Sequence, residues 1–146
     1  YLHEIQDPGN AGTILRSADA LGATAVITSP GSVDMYSPKV VRSTAGSLWH
    51  LPIFERISLE QLKTTIPNLG FATLSADGKK SIRQFAIDEN MVLIFGNEAR
   101  GLADLEVPAS TQALAIPMAG NAESLNLSAA VSIVLYELTA KIADDK

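Results

Sequence analysis

Cysteine is absent from the 146 residues of the chain. That excludes disulfides, a thiolate nucleophile and cysteine-ligated zinc, and it fits a reducing, cytoplasmic compartment. Histidine is nearly as scarce: His3 and His50 show no ligand spacing, so no metal centre is expected. No apolar run approaches the roughly 20 residues of a membrane span, and the opening YLHEIQD has neither the basic start nor the apolar block of a signal peptide. An excess of positive charge is missing too. The formal net charge of −5 argues against a free-standing nucleic-acid binder, which usually carries a basic surplus to meet phosphate. Local charge is a separate matter, because Arg16, Lys39, Arg42, Arg56, Lys79, Lys80, Arg83 and Arg100 can still gather on one face.

What is present fits a single α/β domain. Apolar residues make up 47% of the chain, enough for a real core at this length. Residues 2–6 read as a short strand ended by Asp7-Pro8-Gly9, after which Asn10 is a candidate cap for a helix reaching about Leu21, with Ala11, Ile14, Leu15 and Ala18 as its buried stripe. Arg16 points away from that stripe, either solvated or free to reach a ligand. Strands are expected at residues 24–28, 51–54, 71–75 and 91–95. Helices are expected from Pro38 towards Trp49 and over residues 59–66. Strand and helix alternating with short links is the pattern of a parallel sheet. Residues 79–84 are basic and poorly periodic, which predicts an irregular connection or lid.

Three places draw attention as sites. MVLIF at residues 91–95 is an unbroken apolar run, and Gly96-Asn97-Glu98-Ala99-Arg100-Gly101 follows it directly. A loop with two glycines after a central strand is where open α/β sheets bind ligands, which makes Gly96, Asn97, Gly101 and the acid Glu98 candidates. Its spacing is neither a dinucleotide fingerprint nor a P-loop. On the helix expected from Pro38, Lys39 and Arg42 share a face, as a modest phosphate-binding feature or a solvated surface. In the last third, Ile116-Pro117 leads through a small polar loop into the strongest helix of the chain, whose apolar face is Leu127, Val131, Val134, Leu135, Leu138 and Ile142. Ser124, Asn126 and Ser128 crowd its start. One cap needs only one of them, so the others are either surplus or turned towards a ligand.

DPGNAGTILRSADALGA at residues 7–23, LIFGNEARGL at 93–102 and IPMAGNAESLNLSAAVSIVLYEL at 116–138 resemble, in order, the three motifs of the SpoU/TrmH family of RNA 2′-O-ribose methyltransferases. RSTAGSLWHLP at residues 42–52 is similar to the segment between the first two. The resemblance implies a SPOUT architecture: a parallel sheet flanked by helices, whose C-terminal segment forms a trefoil knot around the S-adenosylmethionine site. It also implies a homodimer, with rRNA or tRNA as substrate and no metal. Carried over by position, Asn10, Arg16, Glu98, Ser124 and Asn126 match catalytic and substrate-handling residues. Leu74, Ser75, Gly96, Ile116, Met118 and Leu125 match the methyl-donor pocket, to which Asn97, Gly101 and Ser128 are added as candidates. Arg16, Lys39 and Arg42 are the candidate RNA contacts.

An arginine stays protonated in proteins, so Arg16 suits stabilising an alkoxide or clamping a phosphate better than removing a proton. The chain opens inside an expected strand without an initiator methionine. The expectation is therefore that residues 1–146 are a catalytic domain lacking the N-terminal substrate-binding region of many members. The alternative reading is a catalytically silent knotted module that binds RNA or cofactor. A conventional dinucleotide-binding domain is disfavoured by the missing glycine fingerprint.

Overall fold

Helix α1 (Pro8–Ala20) is capped three residues ahead of the expected cap, Asn10. Proline fits the first helical position, where no N–H is needed, so Asp7 becomes the cap and its Oδ1 accepts the Asn10 amide at 2.7 Å. Asn10 thus sits inside the first turn, with its side chain released for other work. The computed structural model describes residues 1–87 and 90–144, with side chains to residue 140. Ile142, expected on the last apolar face, has its side chain outside the described residues.

The strands are short: β1 (Val26–Ile27), β2 (Ile53–Phe54), β3 (Gly70–Leu74), β4 (Lys80–Ser81), β5 (Met91–Ile94) and β6 (Gln112–Ala115). Parallel pairing links them in the order β4-β6-β3-β5, and separately β1-β2. The expected first strand joins these two sheets, although only Leu2 pairs, bridging Phe95 on one side and Thr28 on the other. Main-chain bonds from Leu2 N to Ile27 O and from His3 N to Phe95 O, each 2.8 Å, hold it there.

Helices cover both faces. The larger core lies under α1, α2 (Pro38–Ser43) and α4 (Leu127–Asp144), where Ile14, Leu15, Val40, Val131, Val134 and Leu138 are buried together. A smaller cluster beneath α3 (Leu59–Thr65) joins Leu59 and Leu62 to Phe71 and Ile94 on the opposite face. Alternation along β3, with Phe71 to one side and Ala72 to the other, is what a sheet covered on both faces requires. Helix α1 meets α2 at Gly12, where an added Cβ would stand 1.7 Å from Ser43 Oγ. It meets α4 through Ser17 and Ser132, whose hydroxyls are 2.7 Å apart.

Two sequence expectations are corrected. The second helix stops at Ser43 because Ala45 (φ 50°) and Gly46 (φ 99°) take left-handed backbone, and the chain resumes as a 3-10 turn, Ser47–Trp49. Residues 79–84 are not an irregular lid: they contain β4 and a second 3-10 turn, Ile82–Gln84, whose Ile82 is buried. Their weak periodicity reflects an edge strand too short to show any.

The placement of β4 matters for the site. Strands β3 and β4 are consecutive, yet β6 lies between them and pairs with both. Their link, residues 75–79, therefore crosses one face of β6. Gly78 makes the crossing, so close that a Cβ would fall 2.3 Å from the backbone carbon of Leu114.

Candidate active site

Parallel neighbours send the loops that follow them to the same edge of the sheet. Residues 75–79 after β3, 96–101 after β5 and 116–126 after β6 therefore converge, and the start of α1 joins them because Leu2 runs beside β5. A cleft of about 590 Å³ opens there, lined by Gln6, Asp7, Pro8, Asn10, Asn97, Glu98, Ala99 and Asn126.

One hydrogen-bonded chain runs through it. Glu98 Oε2 accepts from the Gln6 amide at 3.2 Å, while its Oε1 accepts from the Asp7 amide at 3.1 Å and from Asn10 Nδ2 at 3.3 Å. Asn10 Oδ1 in turn accepts from Asn126 Nδ2 at 3.1 Å. Asn126 Oδ1 caps α4, taking the Ser128 amide at 2.9 Å, the Ser128 hydroxyl at 2.7 Å and the Ala129 amide at 3.3 Å. The contest among Ser124, Asn126 and Ser128 is thereby resolved: Asn126 caps, Ser128 supports the cap, and Ser124 is exposed. Each amide uses its oxygen on one neighbour and its nitrogen on the next, a directional relay that only Asn or Gln provides.

The loop after β5 is built from within. Gly96 lets Gly101 approach closely: the Gly101 backbone carbon would lie 2.3 Å from an added Cβ. Asn97 and Gly101 exchange main-chain bonds of 2.9 and 2.8 Å. The buried Asn97 side chain donates to Glu4 O at 2.7 Å and accepts the Ala99 and Arg100 amides at 2.9 and 3.0 Å. Its amide is committed to the loop, and what remains towards the cleft is its surface.

The other sequence candidates divide. Leu74 and Ile116 pack partly against the main core. Ser75 donates its amide to Leu114 O at 2.9 Å and leaves its side chain exposed beside the crossing. Met118 and Leu125 are large apolar side chains 40% and 38% exposed on the loop after β6. Arg16 is not gathered into the cleft of its own chain. It lies six residues beyond Asn10, roughly 9 Å along the axis of α1, and is exposed, as are Lys39 and Arg42 on α2. Arg100 pairs with Glu4 and with Asp104, the latter at 3.1 Å, so it does not join a common basic face.

Sequence reasoning missed Gln6 and Asp7 as lining residues. The Asp-Pro pair was the available signal, since it places a helix cap three residues before Asn10.

Residues 1–136 match the SpoU rRNA Methylase family. The chain belongs to that family. A 23S rRNA (guanosine(2553)-2′-O)-methyltransferase of Bacillus subtilis is 36% identical over 141 residues, covering 94% of this chain and 56% of its own. A 23S rRNA (uridine(2479)-2′-O)-methyltransferase of Streptomyces viridochromogenes is 36% identical over 137 residues, or 89% of this chain and 48% of its own. The chain thus spans about half the length of these relatives. Among solved structures, the SpoU methyltransferase AviRb from S. viridochromogenes in complex with AdoMet superposes with a TM-score of 0.85 at 32% identity, covering 98% of this chain and 59% of that one. A structure concerned with 2-OH methylation of C/U34 on tRNA superposes with a TM-score of 0.85 at 30% identity, and 94% of that chain is covered. The parallel sheet flanked by helices is the fold these SpoU proteins share.

Proposed function

We propose that this chain is the catalytic domain of an S-adenosylmethionine-dependent RNA 2′-O-ribose methyltransferase of the cytoplasm, acting on rRNA or tRNA. The observation that carries the reading is the Glu98–Asn10–Asn126 relay, which ties the three family motifs together at the edge where the strands end.

The residues present fit the cofactor. Met118 and Leu125 offer exposed apolar surface on the loop after β6, and among the described residues the charged groups that line the cleft, Asp7 and Glu98, are acidic, which suits a sulfonium cation. Ser75, Gly96, Asn97, Gly101, Ile116 and Ser128 belong to the loops or loop ends around it. When bound, S-adenosylmethionine supplies an electrophilic methyl group. The chain's own part is to hold the ribose. Asn10 and Asn126 offer amide groups at the cleft wall, and Glu98 fixes the Asn10 amide so that its orientation is set before substrate arrives. Passage of residues 75–79 across β6 is the local geometry that the trefoil knot of this family would require, and we read it so.

A second copy of the chain completes the site in this reading. Among the described residues no cation lines the cleft to meet an RNA phosphate, and Arg16 lies outside it. On α4, Ala129, Ile133, Tyr136 and Ala140 form an exposed stripe beside α1, with Tyr136 67% exposed. Burying that stripe in a homodimer would carry Arg16 of one copy towards the cleft of the other. There it would clamp phosphate or stabilise the developing alkoxide, with Lys39 and Arg42 holding RNA further out.

The test pairs calorimetric titration of S-adenosylmethionine with transfer of labelled methyl to unmodified rRNA and tRNA, followed by nuclease digestion to nucleosides. The expected product is a 2′-O-methylnucleoside, with formation inhibited by S-adenosylhomocysteine. Cofactor and RNA binding without transfer by the full-length protein would favour the silent binding module instead.

A further inference from the structure

Glu4 is held at its amide, its carbonyl and one carboxylate oxygen. Its amide donates to Ser29 Oγ at 2.7 Å, and its carbonyl accepts from Asn97 Nδ2 at 2.7 Å and Gln6 Nε2 at 3.2 Å. Its carboxylate pairs with Arg100. The backbone takes the left-handed conformation there, with φ 49°, which a residue bearing a side chain adopts only when its surroundings impose it. Two residues on, Gln6 Nε2 is anchored to Gly31 O at 2.6 Å. Glu98, two residues before Arg100, holds the Gln6 and Asp7 amides.

The segment 4–7 and the loop 97–101 are therefore fastened to each other at two ends. At one end a carboxylate from the loop holds backbone of the segment. At the other the Asn97 amide nitrogen donates to Glu4 O, and a guanidinium from the loop holds the Glu4 carboxylate, braced by Asp104 at 3.1 Å. Exposed ion pairs add little to stability, so this second fastening is poorly explained as a stabilising device. The ion pair's effect is geometric: it acts at the same end as the 2.7 Å bond from the buried Asn97 side chain to Glu4 O, and the two together set the distance between the strips on which Glu98 and Asn10 are mounted.

We propose that Arg100 is a positioning residue of the methyl-transfer site: through Glu4 it holds the segment 4–7 against the loop 97–101 and so keeps Glu98 in register with Asn10. The proposal rests on the methyltransferase reading for its catalytic consequence but not for its geometry. The experiment compares Arg100→Met and Arg100→Lys in the full-length protein, by steady-state kinetics, thermal melting and amide hydrogen exchange.

In Arg100→Met, exchange at the Gln6 and Asp7 amides is expected to rise about tenfold while the melting temperature moves by less than about 2 °C. Turnover is expected to fall about tenfold, with KM for cofactor and RNA within about twofold. Arg100→Lys, which can still pair with Glu4, is expected to recover most of both effects. Unchanged exchange at the two amides overturns the proposal whatever the activity. Faster exchange with unchanged turnover overturns it as well, and so does a raised KM for RNA alone, which would make Arg100 a phosphate contact. Should the unaltered protein transfer no methyl group, the methyltransferase reading fails, while amide exchange still decides whether the fastening exists.

Discussion

Asn10 and Asn126, 116 positions apart, meet through a 3.1 Å hydrogen bond from the Asn126 amide nitrogen to the Asn10 amide oxygen. Asn126 therefore has two duties that chemistry can separate. Aspartate keeps an oxygen for the α4 cap but loses the donor that reaches Asn10. Asn126→Asp is expected to melt close to the parent while turnover falls. Asn126→Ala is expected to lose turnover and also about 0.5–2 kcal/mol of stability through the missing cap. Urea unfolding beside methyl-transfer kinetics distinguishes the two, and equal stability loss in both variants would contradict the division.

Gly12 marks the contact between α1 and α2. An alanine there would bring its Cβ within 1.7 Å of Ser43 Oγ and 2.6 Å of Ser43 Cβ. Removing the hydroxyl relieves only the first clash. Gly12→Ala is expected to cost about 1–3 kcal/mol, and adding Ser43→Ala should recover little of it. Thermal melting of the single and double variants checks this.

Gly78 carries the crossing over β6, where the nearest atoms are backbone and cannot rotate away. Gly78→Ala is expected to be among the most damaging single changes in the chain, about 3–5 kcal/mol. Gly120→Ala serves as the control. It has nothing within 4 Å and should stay within about 0.5 kcal/mol of the parent.

Acid should loosen the far end of α1. The Asp19 carboxyl is held below its ordinary value of 3.8, first by the hydrogen bond to His50 and then by one to Ser47. A carboxylate depressed in the folded state contributes stability above its unfolded value, and that contribution is lost as pH falls through the folded one. In Asp19→Asn, the decline of the urea midpoint at and below about pH 4 is expected to flatten. The group is exposed, so the effect is small, and an identical acid limb in parent and variant would count against it.

The proposed dimer can be tested on α4 directly. Tyr136→Lys and Ile133→Lys place charge on the exposed stripe without touching the core. Sedimentation should show monomers whose turnover falls while cofactor affinity persists. A parent that sediments as a monomer and is fully active would remove the need for Arg16 from a second copy.

Legibility in the sequence followed the range of the forces involved. Periodicity found the α4 face because Val131, Val134, Leu135 and Leu138 need only their own helix and one core to be buried. The capping box of α3 is equally local: Ser58 Oγ accepts from the Gln61 amide at 3.1 Å while Gln61 Oε1 accepts from the Ser58 amide at 2.8 Å. Motif resemblance brought Asn10, Glu98 and Asn126 to one site, but the order in which they bond was not readable. Asn10 looked like a cap until the backbone showed that Asp7 had taken that role. That the missing side chain of Gly96 makes room for Gly101 was not readable either, because the two meet only through the fold of the loop. The interruption after Ser43 and the insertion of β6 beside β4 depend on left-handed backbone and strand order, which no hydrophobic period encodes.

The position of Leu2 between β1 and β5 also dictates an order of assembly on the ribosome. Residues 1–3 leave the exit tunnel before both of the strands they join, and one of these flanking partners lies about 92 positions later. At synthesis rates of about 5–20 residues per second, that edge waits roughly 5–20 s for β5 to be made. Until then residues 1–3 have only the β1 side to pair with. The strand that finally unites the two sheets is thus made before both of its neighbours and is among the last to be enclosed.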